Sequence, residues 1–103
     1  MDSLEFGRFS DPGVLILTSL AGGEKHGYAM MDDIRATAGV HLGAGTLYGA
    51  IARLEQYGLI EALPVNERRR PYRLTIQGVA FLRQYLTSLN EFVALGLGRL
   101  EAG

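Results

Sequence analysis

Residues 45–58 read GTLYGAIARLEQYG and contain the pattern that decides the fold. Leu47, Ile51 and Leu54 recur at spacings of four and three residues, which places them on one face of a helix. Thr46 is a candidate N-cap, and the glycine that closes the stretch is suited to end the helix. The stretch therefore predicts an amphipathic helix with one buried face and a second face that is free to meet a ligand.

Two more helices are predicted ahead of this one. Residues 10–23 open with Ser10 and Asp11 before a proline, which is typical of a helix N-terminus, and continue into an apolar segment. Residues 24–39 repeat apolar side chains, Tyr28 among them, at spacings of three and four. This spacing places Tyr28 on the face of the second helix that packs into the core.

The hydrophobic period changes after Gly58. Residues 59–65 and 70–75 are short stretches with β-branched and aromatic side chains, and the polar letters NERR lie between them. We expect two strands joined by a basic turn. Pro64 and Pro71 are compatible with this hairpin because a two-stranded ribbon has free edges.

A last helix is predicted from Thr75, its candidate N-cap, onwards. Its apolar residues recur at spacings of three and four, close to a heptad repeat. The stripe is longer than the small core requires, so its distal half needs a second surface, and a homodimer would supply one. The predicted dimerisation residues are Leu82, Leu86, Leu89, Val93, Leu97 and Leu100.

The predicted fold is mainly α with a small β-hairpin. Three helices, a hairpin and a further helix follow the element order of a winged helix-turn-helix, in which the third helix enters the DNA major groove and the hairpin, or wing, touches the DNA backbone. On this interpretation residues 1–75 form the DNA-binding domain. Residues 76–103 form the C-terminal dimerisation helix, within one compact unit.

The free face of the third helix carries the candidate contacts to double-stranded DNA. Small side chains would let the helix enter the groove, Tyr48 can hydrogen-bond phosphate, and Arg53 can pair with phosphate or guanine. Free backbone N–H groups in the first turn favour a phosphate as well. The candidates on this helix are Thr46, Leu47, Tyr48, Gly49, Ala52 and Arg53.

Positive charge is concentrated near the predicted wing. The chain has a net charge of −1, yet residues 68–103 hold six basic and two acidic side chains. Arg68, Arg69 and Arg70 are consecutive. Taken alone, such a run fits a solvated turn, but between two strands and after a helix of this kind it favours phosphate contact.

Three stretches resemble, in order and spacing, the signature motifs of the PadR family of bacterial transcriptional regulators. They are HGYAMMDDI at 26–34, GAGTLYGAIARLEQYGLIEA at 43–62 and RRRPYRLTIQG at 68–78. The resemblance covers roughly residues 13–90. It implies a dimeric winged-helix repressor of the short subfamily, whose final region is a single dimerisation helix.

The same resemblance implies roles for individual residues. It places residues 68–70 and Tyr72 on the wing, and His26 and Tyr28 at the start of the second helix, near the DNA backbone. Family members commonly have a basic residue where this chain has Gly49. DNA binding remains the leading hypothesis. That difference and the acidic net charge motivate an alternative, a winged-helix protein-interaction module without DNA binding.

Other classes of protein are not indicated. The chain has no cysteine, which excludes disulfides and thiol catalysis, and no apolar run long enough to span a membrane. His26 and His41 are the only histidines and have no partner at metal-ligand spacing, so neither a metal, a cofactor nor an enzyme is predicted. No stretch resembles a signal peptide, so we expect a cytoplasmic location. Apolar helix faces in a dimer would suit a small hydrophobic effector.

Overall fold

The computed structural model describes residues 11–103, and this range contains four helices and three short strands. A mainly α fold with a small β-sheet is therefore confirmed. In chain order the elements are α1 (Pro12–Ala21), β1 (Lys25–His26), α2 (Gly27–Ala38), α3 (Ala44–Gln56), β2 (Ile60–Ala62), β3 (Pro71–Leu74) and α4 (Ile76–Ala102).

Helix α1 lies at the centre of the core. The Asp11 side chain caps it by accepting hydrogen bonds from the backbone N–H groups of Gly13 at 2.9 Å and Val14 at 3.3 Å. Ser10, the other predicted cap, lies outside the described residues. The helix is so apolar that it packs against α2, α3, α4 and β3. Its buried apolar residues are Val14, Leu15, Ile16, Leu17 and Leu20.

The buried face of helix α2 includes the predicted Ile34 but not the predicted Tyr28. Gly27, Met30 and Ile34 are its buried residues, and Tyr28 is 60% exposed. The prediction that Tyr28 belongs to the core is therefore wrong. Because each helical residue turns by about 100°, a side chain two positions before Met30 lies on nearly the opposite side.

Helix α3 has the predicted apolar face but a different start. It begins at Ala44 with Gly43 as N-cap and has no side-chain capping bond, so the prediction that Thr46 caps it is wrong. Gly58 has a φ of 75°, in the left-handed region that glycine adopts readily, and this allows the chain to leave the helix. The predicted stripe is fully formed, with Leu47, Ile51 and Leu54 all buried.

The sheet has three antiparallel strands in the order β1-β3-β2, one strand more than the predicted hairpin. The additional strand pairs His26 with Pro71 and Lys25 with Tyr72. This makes β3 the central strand. Pro71 is tolerated there because it is the first residue of β3, and its carbonyl still accepts a hydrogen bond from the Leu63 N–H at 2.8 Å.

Helix α4 is anchored at its N-terminus and leaves the core after three turns. The Thr75 hydroxyl oxygen accepts from the Gly78 N–H at 3.0 Å and donates to the Gly58 carbonyl at 2.6 Å, which confirms Thr75 as the N-cap. Leu82 is only 5% exposed and packs in the hydrophobic core, so it does not belong to the free stripe. From position 90 to position 103 every side chain is exposed.

Candidate nucleic-acid interface

The start of α2, the first turns of α3 and the tip of the β2–β3 hairpin meet at a depression of about 260 Å³. We call this depression the tyrosine–arginine cleft. Its lining residues come from three separate stretches of sequence, and most of them were predicted to face DNA. They are His26, Gly27, Tyr28, Tyr48, Arg68, Arg69, Arg70 and Tyr72.

Tyr48 joins α3 to α2 in the cleft. Its ring and hydroxyl lie so close to Gly27 that a β-carbon at position 27 would overlap them. Tyr48 is nevertheless 42% exposed, and it lines the cleft. The contact fixes where α3 begins relative to the start of α2, so the hydroxyl occupies a defined place in the cleft.

The hairpin tip is a two-residue turn. Asn66 and Arg69 exchange backbone hydrogen bonds of 2.8 and 2.9 Å, and the residues between them, Glu67 and Arg68, have φ values of 51° and 68°. Positive φ at both central positions matches the twist of a tight hairpin. Arg68 is exposed at this tip, and within residues 11–103 its side chain has no hydrogen bond or ion pair.

The other arginines of the hairpin contact different partners and therefore have different roles. The Arg69 Nη1 atom lies 3.1 Å from Nε2 of His26, on the cleft side. Arg70 donates to the Leu63 carbonyl at 2.7 Å, which ties it to the strand before the turn. Arg73 pairs with Glu61 on β2 at 2.6 Å, so its charge is balanced within the sheet.

Tyr72 forms the floor of the cleft and is half-buried. Burial raises the pKa of its phenol above the ordinary value of 10.0, and the negative charge of Glu55 raises it further. Arg70 opposes this shift, and Tyr48 adds to it slightly. The phenol is therefore protonated at neutral pH and available as an uncharged hydrogen-bond donor.

The remaining candidates on α3 divide into accessible and inaccessible residues. Thr46, Ala52 and Arg53 are exposed and Gly49 is half-buried, on either side of Tyr48 along the helix. Leu47 differs from them. Its N–H donates to the Gly43 carbonyl at 2.9 Å and its side chain is 0% exposed, so neither the backbone nor the side chain is free for a ligand.

Tyr28 was the lining residue misplaced by sequence periodicity. Met30 and Ile34 form an apolar pair at a spacing of four. However, Tyr28, Met31 and Ile34 recur at a spacing of three, so the sequence alone is compatible with either face. None of the residues that line the cleft is acidic, and they offer hydroxyl, imidazole and guanidinium groups. Such a set suits an anion, and a phosphate oxygen in particular.

Metal-binding clusters and membrane-spanning helices are both absent from residues 11–103. No group of three or more histidine, aspartate or glutamate side chains in that range is arranged to hold a metal ion. Every helix there is too short or too polar to cross a membrane.

Residues 16–84 match the transcriptional regulator PadR-like family. The chain belongs to the PadR-like family. Since this is a family of transcriptional regulators, its members are not enzymes, in agreement with the absence of a predicted catalytic site in the sequence.

Solved structures show the same architecture. A PadR family transcription regulator from hypervirulent Clostridium difficile R20291 is 27% identical, with a TM-score of 0.75 over 82% of this chain and 92% of that one. A transcriptional regulator from Clostridium thermocellum is 30% identical, with a TM-score of 0.73 over 81% of this chain and 86% of that one. The winged helix-turn-helix prediction is thereby confirmed for this PadR-like chain.

A longer protein contains a similar segment. The 37.1 kDa protein in transposon TN4556 of Streptomyces fradiae is 42% identical over 82 residues, which make up 80% of this chain. The PadR-like chain spans only 24% of that protein's length.

Proposed function

We propose that the chain is a sequence-specific DNA-binding transcriptional repressor that acts as a homodimer on a two-fold-related operator. The observation that carries the proposal is the tyrosine–arginine cleft, where α2, the reading helix α3 and the wing, which is the β2–β3 hairpin, bring donors together without an acidic residue in the lining. Phosphate contacts of this kind place a protein on the duplex and supply most of its affinity.

Base recognition is the task of the exposed face of α3. Thr46, Ala52 and Arg53 are exposed beside the half-buried Gly49. Apart from Arg53 these residues have small side chains, so the helix can enter a major groove about 12 Å wide. Arg53 can donate two hydrogen bonds to guanine. The hydroxyl of Thr46 can contact a base or a phosphate.

The homodimer part of the proposal rests on the far half of α4. This helix has 27 residues and therefore a length of about 40 Å, most of it beyond the core. Its predicted stripe continues there with Leu86, Val93, Leu97 and Leu100 all exposed. A second copy packed on this stripe would cover it and place two reading helices about a two-fold axis, as operator half-sites require.

A small hydrophobic effector would bind where α1, α2 and α4 border a groove of about 530 Å³. Val14, Ile34, Leu86 and Leu89 contribute apolar surface to it, and Lys25 lies at its edge. Since Leu86 and Leu89 are also members of the dimer stripe, occupation of this groove would alter the distance between the two reading helices and lower operator affinity.

Binding of duplex promoter DNA measured across salt concentrations tests the proposal. The triple substitution Arg68→Ala, Arg69→Ala and Arg70→Ala should reduce affinity and flatten the dependence of log K on log salt, by on the order of 0.9 for each phosphate that is no longer neutralised. Arg73→Ala is the matched control, because Arg73 is already paired with Glu61. Affinity that ignores salt, or that survives the triple substitution unchanged, would contradict the phosphate contacts of the wing. Wild-type protein that retards no genomic fragment would instead support the protein-interaction module.

A further inference from the structure

Both ring nitrogens of His26 have a neighbour. Nδ1 accepts a hydrogen bond from the Ala29 N–H at 3.3 Å, which caps helix α2. Nε2 lies 3.1 Å from Nη1 of Arg69 on the wing. The imidazole therefore stands between a helix start and the hairpin tip.

These two contacts cannot both be hydrogen bonds. A neutral imidazole carries one proton, and a guanidinium has donors but no acceptor. If Nδ1 accepts the Ala29 N–H, the proton is on Nε2, and Nε2–H then faces an Arg69 N–H with no acceptor between them. The other tautomer would let Nε2 accept from Arg69 but would uncap α2. A doubly protonated ring could accept neither bond.

The cap decides which tautomer is present. The Ala29 N–H is part-buried and belongs to the first helical turn, which offers it no other acceptor within the helix. Arg69 is exposed, so its guanidinium can turn to solvent or to a ligand instead. His26 therefore keeps its proton on Nε2.

We propose that His26 Nε2–H and the Arg69 guanidinium form a two-donor clamp for one phosphate oxygen of bound DNA. The inference rests on the proposed function and names the chemistry of one contact in it. An oxygen between the two groups accepts from both and replaces the donor–donor approach by two charge-assisted hydrogen bonds. His26 contributes to this clamp as an uncharged donor.

The charges around the clamp determine the side from which phosphate enters. On one side both residues line the tyrosine–arginine cleft, together with Tyr28 and Tyr48. On the other side they line a second depression, which contains Glu24 and Glu67 together with Lys25. Because Lys25 already donates to two backbone carbonyls, the two carboxylates disfavour phosphate in that depression, and the phosphate approaches along the tyrosines.

The tautomer can be read directly from the ¹⁵N spectrum of the imidazoles, because the chain has two histidines and His41→Gln assigns both signals. In free protein, the neutral His26 ring should show a pyrrole-type Nε2 and a pyridine-type Nδ1. Addition of duplex DNA should shift the Nε2–H proton downfield and leave His41 unchanged. An Nδ1–H tautomer for His26 overturns the inference, even in protein that binds DNA normally.

Binding measurements separate a neutral donor from a positive charge. His26→Asn retains an N-cap acceptor but cannot reach the phosphate, so its melting temperature should stay near wild type while DNA affinity falls about tenfold. Its salt slope should not change, because a neutral donor releases no counterion. Arg69→Ala should reduce the slope by about 0.9.

Two results would overturn the clamp. The first is wild-type DNA affinity in His26→Asn. The second is a reduction of the salt slope in His26→Asn as large as that in Arg69→Ala, since His26 would then act as a cation. His26→Gln is the complementary variant: it keeps a donor of similar reach and loses the cap, so it should bind DNA better than His26→Asn at a lower melting temperature. Failure of the proposed function is seen separately, as wild-type protein that binds no DNA.

Discussion

The aromatic ring of Tyr48 occupies the space that a β-carbon on Gly27 would need. Gly27→Ala should therefore push the hydroxyl end of the Tyr48 ring out of its present place. Because that end belongs to a side chain that is 42% exposed and can turn aside, we expect the free energy of unfolding to fall by no more than about 1 kcal/mol. DNA affinity should fall as well, because Tyr48 is displaced from the cleft. Chemical denaturation and DNA titration measure the two effects.

The double variant Gly27→Ala/Tyr48→Ala is the control for this contact. Once the ring is absent, the added methyl group meets no obstacle, so the loss of stability in the double variant should be smaller than the sum of the two single losses. Strictly additive losses would show that Gly27 matters for another reason than Tyr48.

The positive φ values at the hairpin tip predict opposite effects on stability and binding. Glu67→Gly and Arg68→Gly each relieve a left-handed conformation that disfavours side chains, so each should stabilise the fold by about 1 kcal/mol. Only Arg68→Gly removes a wing charge. It alone should weaken DNA binding and flatten the salt dependence. Equal DNA affinities for the two variants would mean that Arg68 touches no phosphate.

Two glycines of α4 should respond differently to substitution by alanine. A β-carbon on Gly78 would run into the Leu59 carbonyl, which is backbone and cannot move aside, so Gly78→Ala should destabilise the fold by about 3 kcal/mol. Gly98 has open space around it. Gly98→Ala should stabilise α4 by up to about 1 kcal/mol. Thermal denaturation of both variants checks this, and a harmless Gly78→Ala would contradict the close approach.

Much of the fold could be predicted because its signals are local. The Leu47, Ile51 and Leu54 stripe and the Thr75 cap follow from residues within one or two helical turns. Strand β1 could not be predicted, since its two residues show no alternation and are ordered by pairing with β3, more than forty positions away. The prediction for Tyr28 was wrong for a similar reason. Tertiary contact with α1 buries the face of α2 that contains Met30 rather than the neighbouring face that contains Tyr28.

The sequence predicted which types of residue form the site, but not how these residues are arranged in space. Consecutive arginines indicated the wing, but their sequence does not distinguish Arg68, which is free at the tip among residues 11–103, from Arg70, which donates to the Leu63 carbonyl. His26 and Arg69 are 43 positions apart in the sequence, and they come into contact only because β1 pairs with β3. Thr46 was wrongly predicted as the N-cap because Gly43, the actual N-cap, has no side chain that would mark it as one.

The exposed stripe of α4 predicts that charge on it disrupts self-association. Leu97 is 55% exposed although it is apolar, so Leu97→Asp should convert a dimer to monomers while the fold of residues 11–74 persists. Ser88→Asp, on another face of the same helix, is the control and should stay dimeric. Sedimentation velocity and circular dichroism report the two properties. A wild-type monomer at micromolar concentration, or a dimeric Leu97→Asp, would contradict the homodimer.

The raised pKa of Tyr72 predicts a loss of stability in alkali. The folded protein retains the phenol proton at a pH where the unfolded chain, with a pKa near 10.0, has lost it. The stability that this provides is fully present below pH 10 and is lost as pH rises through the higher pKa of the folded state. The free energy of unfolding, measured in denaturant from neutral pH upwards, should therefore decline more steeply in wild type than in Tyr72→Phe. Glu55→Gln should reduce the effect, because the Glu55 charge contributes to the raised pKa. An identical alkaline decline in wild type and Tyr72→Phe would show that burial of this phenol in the cleft floor does not determine its ionisation.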